Sequence, residues 1–381
     1  MKKFFFILFF LFLFETKSWS INKFKYSKEP ITGEFCQKLL SELNFPGFPA
    51  KDLPVKINTE LLVEEINNVD GKSLSYDALY TLWMYWIDHR VAGVLKKLGK
   101  YENTDEPTYL CDYEVASVWG EKRKLFDPVI EVYNQKKTPK YSDRFNWIEI
   151  FSNGTVQARL RDTNEFKSKN IDFSKFPFDK HSFIFEVYSE FPKDIVEFVP
   201  NEKMALYEKN LYKFDSEDGL TTPDWKVTKV KTSAITFKKD KYDYSGFVVE
   251  IEAKRQVIYY IFKIMMPVVF LIIITWSVFW IKVTELQSKV NVSVVTLLAL
   301  IAYNFVFEKD IPKLSYLTYL DIFILISYFF AGMATILAVY SHWRFVVYED
   351  TANSVSVTMR KYGPLLYIIT NLLLIFIFIY I

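Results

Sequence analysis

ELQSKVNVSVVTLLALIAYNFVFEKDIPK, residues Glu285 to Lys313, decides how the rest of the chain is read. It is long enough to cross a bilayer, yet it contains Asn291, Ser293, Thr296 and Asn304. Each polar group costs free energy in hydrocarbon, so a helix facing lipid alone gains nothing from them. Steps of four and three from Asn291 pass through Val295, Leu298, Ala302, Phe305 and Lys309. That spacing keeps all six on one helical face. The face is polar at one end, apolar in the middle and charged at the other. Repeated around a symmetry axis, it lines a pore whose apolar middle gates by dewetting. The competing reading is an ordinary packing helix of a four-helix bundle.

Outward from this stretch the chain divides sharply. Apolar runs occupy about 257–281, 288–307, 316–340 and 363–381, each near the roughly 20 residues that a span requires. Pro267 lies inside the first. Upstream, Val55–Ile57, Leu61–Ile66, Tyr80–Tyr85, Phe145–Ile150, Gly154–Arg161, Phe183–Tyr188, Trp225–Phe237 and Phe247–Ala253 read as strands. Turn residues separate them, Asp70-Gly71 among them, whereas 94–117 reads as irregular and charged. Thr32 caps a short predicted helix carrying Phe35, Leu39, Leu40 and Leu43 on one side. Many short strands with turn chemistry between them predict an immunoglobulin-like β-sandwich over 21–255, with a four-helix transmembrane domain over 256–381.

The first twenty residues read as a signal peptide. Lys2 and Lys3 precede the apolar run Phe4–Phe14, and Ser18-Trp19-Ser20 has the small-residue spacing of a cleavage site. The sandwich is then extracellular or periplasmic. Arg344, Arg360 and Lys361 fall in a cytoplasmic loop at 342–362, as the positive-inside rule prefers. An exported domain permits a disulfide between Cys36 and Cys111, although sequence does not say whether they meet. Asn153-Gly154-Thr155 reads either as a glycosylation acceptor or as a hairpin turn.

With aromatics at 18% and charged residues at 24%, grease and charge must be segregated along the chain, as they are. A net charge of +2 is too weak to favour nucleic acid. There is no Gly-rich phosphate loop, no metal-spaced Cys/His set and no nucleophile elbow, so no enzyme, cofactor or metal site is expected. His89, His181 and His342 are far apart in sequence.

Several motifs carry a family resemblance. They are Trp86-Ile-Asp88-His-Arg90, Pro128 followed by Tyr133-Asn134, Phe176-Pro177-Phe178-Asp179, Arg255 with Tyr259-Tyr260 and Pro267, and Ile311-Pro312-Lys313. From about Val55 onward the chain resembles the pentameric ligand-gated ion channels, the Cys-loop receptor superfamily. The two cysteines flanking the FPFD motif are replaced by Ser168 and Ser182, and no large cytoplasmic domain is present, so the resemblance is to the prokaryotic type.

The resemblance implies a homopentamer in a cell or inner membrane, passing inorganic cations. The stripe Asn291, Val295, Leu298, Ala302, Phe305 and Lys309 would line the pore, with Leu298 at the family's central leucine. Gln287-Ser288-Lys289 stands where anion-selective members carry Pro-Ala-Arg. Glu285, Glu308 and Asp310 would supply carboxylate rings, opposed by Lys309. The expected ligand site is an aromatic box between subunits, holding an amine by cation–π attraction. Tyr133, Tyr188, Phe191, Phe237 and Tyr244 would come from one subunit, with Glu131, Glu186 or Glu190 offering a carboxylate. Trp83 and Tyr85 would come from the neighbour, beside Thr81 at the family's tryptophan position; Ser189 occupies another tryptophan position. Asp70, Asp179 and Arg255 would form a coupling cluster, with Phe176, Pro177 and Pro312 packing loop against linker. Protons acting at His181 are the alternative stimulus. A receptor of the same fold that does not conduct is a further alternative, and a membrane-anchored enzyme finds no catalytic constellation.

Overall fold

The computed structural model describes residues 25–26, 32–49, 53–119, 124–136, 146–168, 170–200, 224–307, 314–348 and 354–380. The expected signal peptide, Glu308, Lys309, Asp310 and Pro312 lie outside them.

Eleven strands build two sheets among the described residues. In chain order they are β1 Lys25–Tyr26, β2 Val55–Asp70, β3 Ser75–Ile87, β4 Thr108–Glu114, β5 Ile130–Val132, β6 Trp147–Phe151, β7 Thr155–Lys167, β8 Lys180–Pro192, β9 Val196–Pro200, β10 Trp225–Lys239 and β11 Tyr242–Arg255. One sheet runs β1-β4-β6-β7-β3-β2-β9 and the other β10-β11-β8-β5. Alternation makes the sandwich. Along β8, His181, Phe183, Phe185, Val187 and Ser189 point inward while their neighbours are half-buried or exposed. From the facing sheet come Tyr76, Tyr80 and Phe166. Phe166 and Phe185 meet edge-on at 4.7 Å, and Tyr76 and Phe183 at 4.9 Å. Such pairs add about 0.5–1.5 kcal/mol each beyond the area they bury.

Three short helices decorate the sandwich. In α1, Gly33–Glu42, the Thr32 side chain accepts from Phe35 N, as expected of a cap. Helix α2, His89–Lys97, is capped by Asp88, which also holds Arg90 at 2.7 Å. Helix α3 is Val115–Trp119. The stretch predicted to be irregular at 94–117 therefore contains the end of α2, all of β4 and the start of α3. Its polar composition hid them, because β4 exposes alternate charged residues, Asp112 and Glu114. Cys36 and Cys111 form a disulfide that ties α1 to β4. Asn153 sits at the β6–β7 turn, where its carbonyl accepts from Thr155 N at 2.9 Å and its amide donates to Thr104 O at 3.3 Å. Gly154 there has φ +87°, and a Cβ would lie 2.7 Å from Ala92 Cβ. The hairpin role of this tripeptide uses the amide that a glycan would need.

Four helices are long and apolar enough to cross a membrane: α4 Tyr260–Trp280, α5 Leu286–Phe307, α6 Tyr319–Tyr348 and α7 Ser354–Tyr380. Helix α4 opens with a wide π turn over Tyr260–Met265, just before Pro267, whose missing N–H interrupts the regular ladder. Helices α6 and α7 run longer than the apolar spans 316–340 and 363–381. Most of the expected 342–362 loop is thus helical, although Ser, Thr and Val abound in it, so packing against the bundle overrides weak propensity there. Gly363 lets α7 lie against α4, because a Cβ there would fall 2.0 Å from the Trp276 indole.

Candidate functional site

Helix α5 has two unlike faces. Asn291, Val295, Leu298, Ala302 and Phe305 are all exposed on a single subunit, with Leu298 at 59% and Phe305 at 67%. Behind them Lys289, Ser293, Thr296 and Leu300 are buried against the other helices. Thr275 of α4 donates to Thr296 Oγ1 at 2.8 Å, and Lys289 Nζ reaches Ser356 of α7 at 3.4 Å. Of the four polar residues noticed in this helix, Thr296 therefore ties it to α4, while Ser293 is buried and donates back to Val290 O of its own helix. Lys289 turns its charge into the bundle, away from the exposed stripe, whereas Glu285 is exposed at the start of the helix.

The sandwich meets the helices at the FPFD loop. Asp179, wholly buried, takes two hydrogen bonds from Arg255, Nε at 2.8 Å and Nη2 at 3.0 Å. His181 Nε2 donates to the same carboxylate at 2.7 Å. Burial pushes the Asp179 carboxyl up, but the bonds from His181 and Arg255 outweigh it and hold the group below the usual carboxylate range. The guanidinium lies 4.2 Å from the Trp225 ring and 4.8 Å from Phe176. Asp70 does not join this pair. Its oxygens accept from Lys72 N at 2.8 Å and Ser73 Oγ at 2.7 Å, because a carboxylate at a turn finds its own backbone first. His181 takes the third place instead.

The loop is then anchored to α6. Tyr316 OH accepts from Phe173 N at 3.0 Å. Tyr319 N and Leu320 N donate to Ser174 O and Phe176 O at 2.9 and 3.1 Å. Phe176 meets Tyr260 of α4 at 4.9 Å, and Phe178 meets Tyr319 at 5.2 Å. Gly71, in the β2–β3 turn, sits so close to Leu314 and Phe173 that a Cβ would fall 2.6 Å from each. Sequence reading pointed to Pro312 for this contact and missed Gly71, Leu314, Tyr316 and Tyr319. Ser168 Oγ donates to Ser182 O at 3.5 Å, so the two serines are neighbours.

At the other end of the sandwich three rings converge. Tyr133 and Tyr188 are 6.0 Å apart, Tyr133 and Phe237 6.1 Å, and Tyr188 and Phe237 5.3 Å. Asn134 holds the Tyr133 turn in place by donating to Ile184 O at 2.5 Å and Lys167 O at 3.2 Å, and by accepting from Glu186 N at 3.2 Å. Glu131 lies opposite Tyr188 in the β5–β8 ladder, and Tyr244 opposite Phe237 in the β10–β11 ladder. Burial pushes the Tyr188 hydroxyl up, and Glu186 adds to this. Phe191 does not belong to the group. It points the other way, to Phe48 at 5.5 Å and Phe126 at 6.1 Å, because odd and even residues of a strand face opposite sides near the β8 end. Gly246 was missed: a Cβ there would fall 2.5 Å from the Tyr188 ring, so only glycine lets that ring cross β11. A lone glycine between Tyr244 and Phe247 was the available signal.

Trp83 and Tyr85 lie half-buried on the outer side of the seven-stranded sheet, away from the three rings of the same chain. Trp83 stands between Glu60 and Arg159 in register, and burial with help from Glu60 pushes the Tyr85 hydroxyl up to about 12.

Residues 32–257 match the neurotransmitter-gated ion-channel ligand-binding domain, and residues 264–361 match the transmembrane region of the same channels. The chain belongs to the pentameric ligand-gated ion channels. The channel is 27% identical over 338 residues to a proton-gated ion channel of Gloeobacter violaceus, covering 87% of this chain and 86% of that one. It is 21% identical over 296 residues to the human gamma-aminobutyric acid receptor subunit rho-3, and 20% over 298 residues to the gamma-aminobutyric acid receptor subunit beta of Lymnaea stagnalis. Each match covers 76% of this chain but only 58% and 57% of those receptor subunits. The channel is a multi-pass membrane protein with its sandwich outside the cell membrane.

Proposed function

We propose that this channel is a homopentamer selective for inorganic cations, opened by a small amine bound between subunits. The observation that carries the reading is the two-faced α5 helix. Among the described residues its exposed stripe packs against nothing else in the bundle, and a ring of identical subunits would close around such a surface. Val295, Leu298, Ala302 and Phe305 would form the dewetting gate. Cation preference rests on Glu285, exposed at the cytoplasmic mouth, and on Lys289 being withdrawn into the bundle. Glu308 and Asp310, opposed by Lys309, would act at the outer mouth. The amine would lie against Tyr133, Tyr188, Phe237 and Tyr244, near Glu131, with Trp83 and Tyr85 closing the site from the neighbouring subunit. Each cation–π contact contributes on the order of 0.5–2 kcal/mol. Movement there would reach α6 through Asp179, Arg255, Phe176 and Pro177.

The test is current from cells expressing the full chain, during amines, amino acids and pH steps, with reversal read under diluted NaCl. Reversal that follows sodium supports the proposal, and reversal that follows chloride refutes cation selectivity. Agonist response unchanged in Tyr188→Ala would remove the aromatic site.

Protons are the second reading. His181 is buried beside Asp179, and among the described residues its Nδ1 has no hydrogen-bond partner, so a proton taken up there would add charge next to Arg255. The relative from Gloeobacter violaceus is named for proton gating. Acid-evoked current lost in His181→Gln, with the amines inert, would favour this reading.

A further inference from the structure

We propose that Tyr303 positions the outer half of α5, and so sets how readily the channel opens, by giving its hydroxyl to an α4 carbonyl that Pro267 has left without its regular donor. This role requires α5 to line the pore. It does not depend on the ligand, the ion or the stimulus.

In a regular α-helix the carbonyl of residue 263 accepts from the N–H of residue 267. Residue 267 is proline. It has no N–H, and its ring crowds the carbonyl four residues back. Helix α4 yields by opening the π turn over Tyr260–Met265, where Met266 N donates to Ile261 O, five residues back. Inside a membrane bundle a carbonyl freed in this way is re-satisfied from a neighbouring helix. Lys263 O receives the hydroxyl of Tyr303, from α5.

The period of α5 places Tyr303 for this bond. Lys289, Ser293, Thr296 and Leu300 form the buried row of the helix, and Tyr303, half-buried, extends that row by a step of three. Ala302 and Phe305, in the same turn, belong to the exposed stripe. The hydroxyl therefore reaches α4 from the turn that carries the outer part of the stripe. The bond between Thr275 and Thr296 is a second polar tie between these helices. Thr275 and Lys263 are about 18 Å apart along α4. Between the two ties Val268, Ile272 and Leu300 are buried. Apolar contact is non-directional, whereas a hydrogen bond weakens steeply once it is bent. The threonine pair thus pins α5 near its middle, and Tyr303 fixes how far its outer end leans from α4. A change in that lean would carry Ala302 and Phe305 with it, and the width of the proposed constriction would follow. A phenylalanine at 303 would keep the ring and lose only the tie.

The experiment uses the full chain reconstituted in phosphatidylcholine vesicles. Phe305→Cys supplies one free thiol, since Cys36 and Cys111 are bonded to each other. A cationic methanethiosulfonate is added outside, and the rate of modification is read by mass spectrometry. Stimulus–response midpoints are recorded from proteins that keep Phe305. Hydrogen bonds between membrane helices are individually modest, so Tyr303→Phe should raise the modification rate about threefold and shift the midpoint by a similar factor. Pro267→Ala returns an N–H to Lys263 O, so in that background Tyr303→Phe should change neither. Tyr328→Phe is the control, because that α6 hydroxyl bonds nothing among the described residues. An unchanged rate overturns the tie. So does an effect no larger than that of Tyr328→Phe, or one of equal size beside Pro267→Ala. None of these needs a current, and the comparison with Tyr328→Phe decides if Pro267→Ala does not assemble. A rate that rises as expected while the midpoint stays unchanged overturns the link to opening, and counts against α5 as the pore helix rather than against the tie.

Discussion

Asp179 shows how much one carboxylate does at the junction of the two domains. It is buried, and it accepts from both Arg255 and His181. Removing Arg255 leaves that charge unpaired, at a cost of roughly 3–5 kcal/mol. Arg255→Ala should therefore sharply reduce assembled protein at the surface, measured by surface labelling, and abolish the current of what remains. The pH dependence has a definite sign. The folded-state pKa of Asp179 is depressed, so its stabilisation is complete above the unfolded value of about 3.9 and is lost as pH falls through the lower folded value. The gap in thermal midpoint between wild type and Asp179→Asn should stay constant above that window and narrow within it. Glu149 behaves oppositely. Burial raises it, Arg159 opposes, and Asp112, directly across the β4–β6 ladder, raises it further. Ionised Glu149 therefore costs stability above its raised pKa, and the cost vanishes as pH falls to the unfolded value of about 4.3. Glu149→Gln should be more stable than wild type at neutral pH and equal to it in acid, as read from thermal unfolding of the purified protein.

At the scale of elements, two helix faces carry testable consequences. Leu298 sits at the centre of the exposed α5 stripe. A hydroxyl there would wet the proposed apolar constriction, so Leu298→Ser should conduct at rest or open at lower stimulus than wild type. An unchanged dose–response curve, with protein present at the surface, would remove the gate from that position. Helix α7 depends on a different kind of fit. Gly363→Ala forces a methyl into the Trp276 ring, and overpacking of this kind costs typically about 1–3 kcal/mol. The expected outcome is a lower thermal midpoint with the spectrum of helical content retained. Much of this was legible beforehand. Periods of 2 and 3.6, and runs near the length of a span, marked most strands and all four membrane helices. What escaped were the short elements β1, β5, β9, α2 and α3, the strand β4, whose exposed charges masked its alternation, and the helical continuation of α6 and α7 past their apolar cores.

For the whole molecule, the exposed stripe on α5 and the separation of Trp83 and Tyr85 from the three-ring cluster pose the same question. Both would find an answer in the proposed ring of copies, where one subunit's seven-stranded sheet would meet the next subunit's ring cluster. Mass measurement of the detergent-solubilised chain should give a single pentameric species. A monomer that still passed cation current would overturn the arrangement. The sequence by itself determined the order of parts: an aromatic sandwich, then four spans, with FPFD and the arginine before the first helix marking their junction. Periodicity and segregation of charge are local properties, so they survive without coordinates. Tertiary structure decided what lies side by side across long separations. It gave Asp179 to His181 in place of Asp70, sent Phe191 to Phe48 and Phe126, joined Cys36 to Cys111, and buried Lys289 among its own helices. Each depends on which way a side chain leaves an element and what stands opposite, and spacing along the chain does not encode that.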